Sequence, residues 1–218
     1  RNIGQEIEMD RALTAIMRAY VDRLDLIPPS VDQVITDKFA QRLSGLSQLV
    51  GMIRSEVDRN PYRPDEIQRM PEVETGTRLG IQLAKLAIGL CMVEQQLTLT
   101  EDVYQIVERV AFNSAIGFNL SIVQSIMEHN NHATRDQIHK DTSIPMSTCA
   151  RSMENLQLLK IVRRSDTNTK TGRAHAHEYA LDGQALQYWN MAEVKGDYQQ
   201  DEHKYRPVRK RKRQNTEQ

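Results

Sequence analysis

The apolar period of this chain changes once. From residue 5 to about residue 158, Leu, Ile, Val, Met and Ala recur every three or four positions, the spacing that lines one face of a helix. IVRR, 161–164, is then strand-like, SDTNTKTGRA, 165–174, is polar and turn-rich, and HAHEYAL, 175–181, alternates. Those last three runs read together as a β-hairpin. The fold class that follows is mostly α, with one hairpin late in the chain. The 218 residues are enough for one or two domains with a buried core.

Breakers divide the helical part. A first helix is expected over about 5–24, with Ile7, Leu13, Ile16, Met17, Tyr20, Val21 and Leu24 as its stripe, ended by Pro28-Pro29. Ser30, with Gln33 completing a capping box, starts a second helix that carries apolar residues from Val31 to Val57. Gly45 and Gly51 weaken that helix by about 1 kcal/mol each relative to Ala and allow a bend. NPYRPDEIQRMPE, 60–72, is a linker or irregular loop. A helix over 75–93 directs Leu79, Leu83, Leu86, Leu90 and Val93 at the core. Another, over 98–112, is capped by Thr100 and faces Val103, Ile106, Val107 and Val110 inward, with Glu101 and Asp102 at its positive end.

The C-terminal block has a different order. A helix over 119–129 comes first. Thr134 with Gln137 then caps a short helix over 135–141, and Ser143 and Pro145 start a third helix reaching about Leu158. Three helices followed by a hairpin is the order of a winged helix-turn-helix. The third helix divides as a DNA-reading helix must. Cys149, Met153 and Leu156 share one face, while Ser147, Arg151, Glu154 and Asn155 share the other. Arg151 suits a guanine edge or a phosphate, and Ser147, Thr148 and Asn155 suit phosphates or adenine. The hairpin adds Arg163, Arg164, Lys170 and Arg173, which suit the phosphate backbone. Double-stranded DNA is the expected partner; the alternative is a solvated helix face used for protein contact.

Charge agrees with that placement. Residues 1–128 hold 13 Lys/Arg against 18 Asp/Glu, 129–182 hold 8 against 6, and 203–218 hold 7 against 1. The end of the chain is therefore the part suited to a polyanion. Cys91 and Cys149 have no CxxC partner and read as buried free thiols of a cytoplasmic protein. His175 and His177 lack a third ligand at metal spacing, so no metal is expected. No phosphate loop GxxxxGK[ST], no GxSxG elbow and no HExxH pair occurs. No apolar run approaches the length of a membrane span and no secretory leader is visible, so no membrane partner is expected.

One stretch has a family likeness. EVETGTRLGIQLAKLAIGLCMVEQQLTLTEDVYQIVERVA, 72–111, resembles the helical lid of AAA+ ATPases, most of all the minichromosome-maintenance helicase type and related phage or mobile-element ATPases. The similar features are a Thr-x-Arg start to a long helix, a short link, and a Thr-Glu-Asp-Val helix. The resemblance implies that Arg78 is the lid arginine that reaches a nucleotide γ-phosphate. A cation in a first turn opposes the helix dipole, and recruitment for an anion would explain it. It also implies that the Walker motifs, with ATP and Mg as cofactors, lie in an upstream domain or neighbouring subunit; none is carried here. A chain opening on Arg1 fits that expectation.

The combined expectation is a lid-like helical bundle over 1–115, a winged helix-turn-helix over 119–182, an extension over 183–202 anchored by Trp189, and a basic disordered tail over 203–218. It would serve as the DNA-binding C-terminal region of an AAA+ ATPase acting on DNA. The other reading is a free-standing winged-helix transcriptional regulator whose helical half dimerises or senses a ligand.

Overall fold

The fold is taken from a computed structural model that describes residues 3–22, 30–60, 62–63, 66–115, 117–166 and 177–194. Among them are nine helices and one small antiparallel sheet. The helices are α1 (Ile3–Val21), α2 (Val31–Val34), α3 (Asp37–Arg54), α4 (Thr77–Val93), α5 (Glu101–Asn113), α6 (Asn119–Glu128), α7 (Arg135–Thr142), α8 (Met146–Leu158) and α9 (Gly183–Ala192). The strands are β1 (Ala133–Thr134), β2 (Val162–Asp166) and β3 (His177–Leu181). No described helix is long and apolar enough to cross a membrane. Leu24, the Pro28-Pro29 breaker, Lys170, Arg173, His175 and the tail from 203 lie outside the described residues.

The helix expected from Ser30 to Val57 is two helices. Ile35 and Thr36 are extended, and Thr36 stands at the cap of α3. Ile35 is thereby buried, and its neighbour Val34 accepts from the Leu99 amide at 2.8 Å, tying α2 to the link before α5. Helix α3 then runs without interruption through Gly45 and Gly51. These glycines mark close contacts rather than weak points. A Cβ on Gly45 would stand 2.6 Å from Met191 Cβ and 2.9 Å from the Ala192 nitrogen, so α9 can lie on α3 only where the side chain is absent. At the start of α4, Gly76 presses on the carbonyl of Ser47 in the same way.

Helix α3 is the centre of the molecule, contacted by α4, α5, α6 and α9. The inward face of α4 is Leu79, Leu83, Ala87 and Cys91; Leu86 and Leu90 are half-buried and Val93 is exposed. On α5, Val103 and Val107 are buried as expected, but Ile106 and Val110 face solvent. The apolar residues of α1 were expected to form a buried stripe. Met9, Leu13, Ile16, Met17 and Tyr20 are exposed instead, and the Tyr20 hydroxyl donates to the Val93 carbonyl at 3.1 Å.

The C-terminal block is ordered helix, strand, two helices, hairpin, helix. Strand β3 is central in the sheet, paired with β2 through Val162–Leu181 and Arg164–Tyr179 and with β1 through Ala133–Tyr179. The two-residue β1 is too short to leave a period in the sequence. Ser143, expected to begin α8, instead closes α7 with a left-handed backbone, φ 55°, and its amide donates to the His139 carbonyl at 2.9 Å. Pro145 precedes α8 and accepts from the Cys149 amide. Buried apolar side chains from Val34 to Ala192 form one continuous cluster, so the helical part and the C-terminal block share a core.

Candidate functional site

Helix α8 has the two-sided character the sequence suggested. Cys149, Met153 and Leu156 are buried, and α8 packs against α6, α7 and β2. Burial pushes the Cys149 thiol above its ordinary range, with nearby Arg135 working the other way, so it is a packing group and not a reactive one. On the other face Ser147 and Arg151 are exposed and Thr148 is half-buried. Arg151 makes no hydrogen bond or ion pair to a described residue, which leaves its five donors available.

Asn155 has a partner. Arg59, from the loop between α3 and α4, donates through Nε to Asn155 Oδ1 at 2.9 Å, and its Nη2 stands 3.2 Å from Glu154 Oε2. With Oδ1 committed, Asn155 keeps its amide donors for an acceptor such as a phosphate oxygen. Pairing with adenine, which uses Oδ1 and Nδ2 together, is the less available of the two. The Arg59 side chain is only 10 % exposed, whereas that of Glu154 is 60 % exposed.

The hairpin places its arginines differently. Neighbouring residues on a strand point to opposite faces, so Arg163 and Arg164 cannot line one surface together. Both are exposed. Arg164 donates to His177 Nε2 at 2.7 Å across the hairpin. Lys170 and Arg173 fall outside the described residues. Arg78 is exposed in the first turn of α4 and bonds to no described side chain. The expected residues thus lie on three elements: Arg78 on α4, Ser147, Thr148, Arg151 and Asn155 on α8, and Arg163 and Arg164 on β2.

Two arginines went unread in the sequence. Arg42 is 2 % exposed in α3, doubly bonded to Glu101 at 2.6 and 3.0 Å and 3.3 Å from Glu193. Its guanidinium lies 3.8 Å from the Tyr104 ring centroid and 5.3 Å from that of Phe39. Burial would lower its pKa, but the bond to Glu101 and the nearby negative groups outweigh that and raise it. Burial, with Glu108 close by, also drives the Tyr104 hydroxyl upward, so it stays a neutral donor to the Ala192 carbonyl at 2.9 Å. A signal for Arg42 existed, because it stands on the same stripe as Leu46, Leu49 and Ile53. Arg59 had none, since its partner is 96 positions away.

Among the described residues no cluster of His, Cys, Asp and Glu could hold a metal ion. His129 and the buried Ser125 both meet Asp141 Oδ2, at 3.0 and 2.6 Å, and this clasp joins α6 to α7. No protein-family model, curated protein or solved structure matches the chain.

Proposed function

We propose that residues 119–182 form a winged helix-turn-helix that contacts duplex DNA, with α8 in the major groove and the β2–β3 hairpin as the wing. The observation that carries the reading is α8 itself. Its apolar back is buried, and Ser147 and Arg151 are exposed near its N-terminal end, the end that meets base edges when such a helix enters the groove. The β1–β3–β2 strand order and the exposed Arg163 support it. The same reading makes α3–α5 the lid of an AAA+ ATPase acting on DNA. Arg78, exposed at the start of α4, is then turned toward a nucleotide held elsewhere, and ATP and Mg belong to that partner domain.

Fluorescence anisotropy with a labelled duplex tests the proposal at fixed salt. Arg151→Ala should weaken binding by about 1–3 kcal/mol. Unchanged affinity would remove α8 from the interface. A second reading, a free-standing regulator whose helical half dimerises, is favoured by the exposed apolar residues of α1. Light scattering separates the two: a dimer supports the regulator and a monomer the ATPase arm.

A further inference from the structure

The loop between α3 and α4 does more than connect. It folds back on itself through the Arg59–Ile67 bridge, with the Gln68 amide donating to the Asp58 carbonyl at 2.8 Å. At its far end the Glu74 amide donates to the Ser55 hydroxyl at 2.8 Å, and Gly76 rests on α3. The loop is therefore tied to the helical part at both ends. From near its start, one nearly buried guanidinium, that of Arg59, reaches the polar face of α8.

What Arg59 holds there matters. Glu154 is the acidic residue on the face that carries Arg151, and the two are three positions apart. That is the spacing at which side chains of opposite charge pair on a helix. No such pair forms. Glu154 is turned to Arg59, and Arg151 bonds to no described residue. Arg59 thus has two effects. It offsets a negative charge that would repel phosphates, and it keeps that charge from capturing the arginine that DNA needs. Its planar fork meets two side chains at once, hydrogen-bonded to Asn155 through Nε and ion-paired with Glu154 through Nη2.

We propose that Arg59 is a positioning residue for the DNA-contacting face of α8, sequestering Glu154 and orienting Asn155 so that Arg151 is left free for the duplex. The inference rests on the DNA-contacting reading of α8. It also makes the α3–α4 loop the physical link between the helical part, where Arg78 stands at the loop's end, and the DNA face.

The test is duplex anisotropy on the full chain with Arg59→Gln, Glu154→Gln and the double variant. Far-UV circular dichroism and Trp189 fluorescence check the fold of each. Arg59→Gln should weaken binding about fivefold, the size of one unit charge acting at close range in water, and the loss should shrink as salt is raised. Glu154→Gln should bind at least as tightly as wild type. The double variant should return to within about twofold of Glu154→Gln, because removing the acid removes the need for its partner. That rescue is what a merely structural role of Arg59 would not give. Arg59→Lys keeps the charge but not the fork that meets two side chains, so its affinity should fall between those of wild type and Arg59→Gln. Wild-type affinity in Arg59→Gln, or no rescue in the double variant, overturns the proposal. Tighter binding by Arg59→Gln also overturns it and identifies the loop as a cover over α8. If wild type and Glu154→Gln both fail to bind any duplex, the DNA reading falls and this inference falls with it.

Discussion

Arg42 is the residue on which three helices meet. It projects from α3, pairs with Glu101 at the head of α5 and reaches the C-terminal end of α9 through Glu193 and the Ala192 carbonyl. A buried ion pair is not by itself strong evidence of stability, because desolvation offsets much of the attraction. Which partner is removed should therefore decide the outcome. Arg42→Met leaves Glu101 and Glu193 behind, and both are solvated enough to do without a partner, at 36 and 50 % exposed. Methionine can also fill the space beside Tyr104 and Phe39. Glu101→Ala leaves a nearly buried guanidinium with Glu193, at 3.3 Å, as its remaining carboxylate partner. We expect Glu101→Ala to cost about 1–3 kcal/mol and Arg42→Met to cost less, read as midpoint shifts in urea unfolding. The opposite order would mean that Arg42 is held by its ring contacts and Glu193 rather than by Glu101.

At the scale of elements, what could be read was local and what could not was a contact between distant segments. The cap of α7 is a three-residue pattern, and the structure contains it: Gln137 Oε1 accepts from the Thr134 amide at 2.8 Å, and the Thr134 hydroxyl accepts from the Gln137 amide at 3.3 Å. The buried back of α8 followed from period alone. Ser143 misled because Ser-x-Pro has the composition of a helix start, while its left-handed backbone, closing α7, leaves no mark in composition. Gly45 and Gly51 misled for the opposite reason, since a propensity scale counts what a glycine loses in a helix and not what its missing side chain admits. On α8, Ser147 and Arg151 were legible; Asn155 was legible as polar but not as the partner of Arg59. The two capping boxes should differ in weight. Thr134→Ala loosens a helix packed on α6 and α8 and should cost about 0.5–2 kcal/mol in urea unfolding. Ser30→Ala, at an exposed end of the four-residue α2, should cost a few tenths. Equal costs would show that α7 is held by its packing and not by its cap.

For the whole molecule, the question is whether α9 belongs to the hairpin it follows or to the helix it lies on. Its start is tied to the C-terminal block, where Asp182 donates to the Ile161 carbonyl at 2.8 Å and caps α9 through its side chain. Its body lies on α3, with Ala185, Trp189 and Ala192 buried. Helix α9 therefore closes the chain back onto its centre and makes the α3 packing a condition for placing the hairpin. Gly45→Ala tests this, because the substitution has opposite effects at two levels. Locally it should favour α3 by about 1 kcal/mol, the usual gain of Ala over Gly inside a helix. Globally the new methyl would lie 2.6 Å from Met191 Cβ and 2.9 Å from backbone of α9, which cannot yield without moving α9 as a whole. The global effect should win, so the variant unfolds at lower urea than wild type. Trp189, the only tryptophan in the sequence, reports the step directly. In wild type, its fluorescence and the far-UV signal should change together. In Gly45→Ala, the fluorescence should shift first, as α9 leaves α3 before the helices melt. A more stable variant with coincident transitions would mean that α9 can ride outward at little cost and that the two halves are held together by the α3–α6 contact and the Arg59 link to α8 without it.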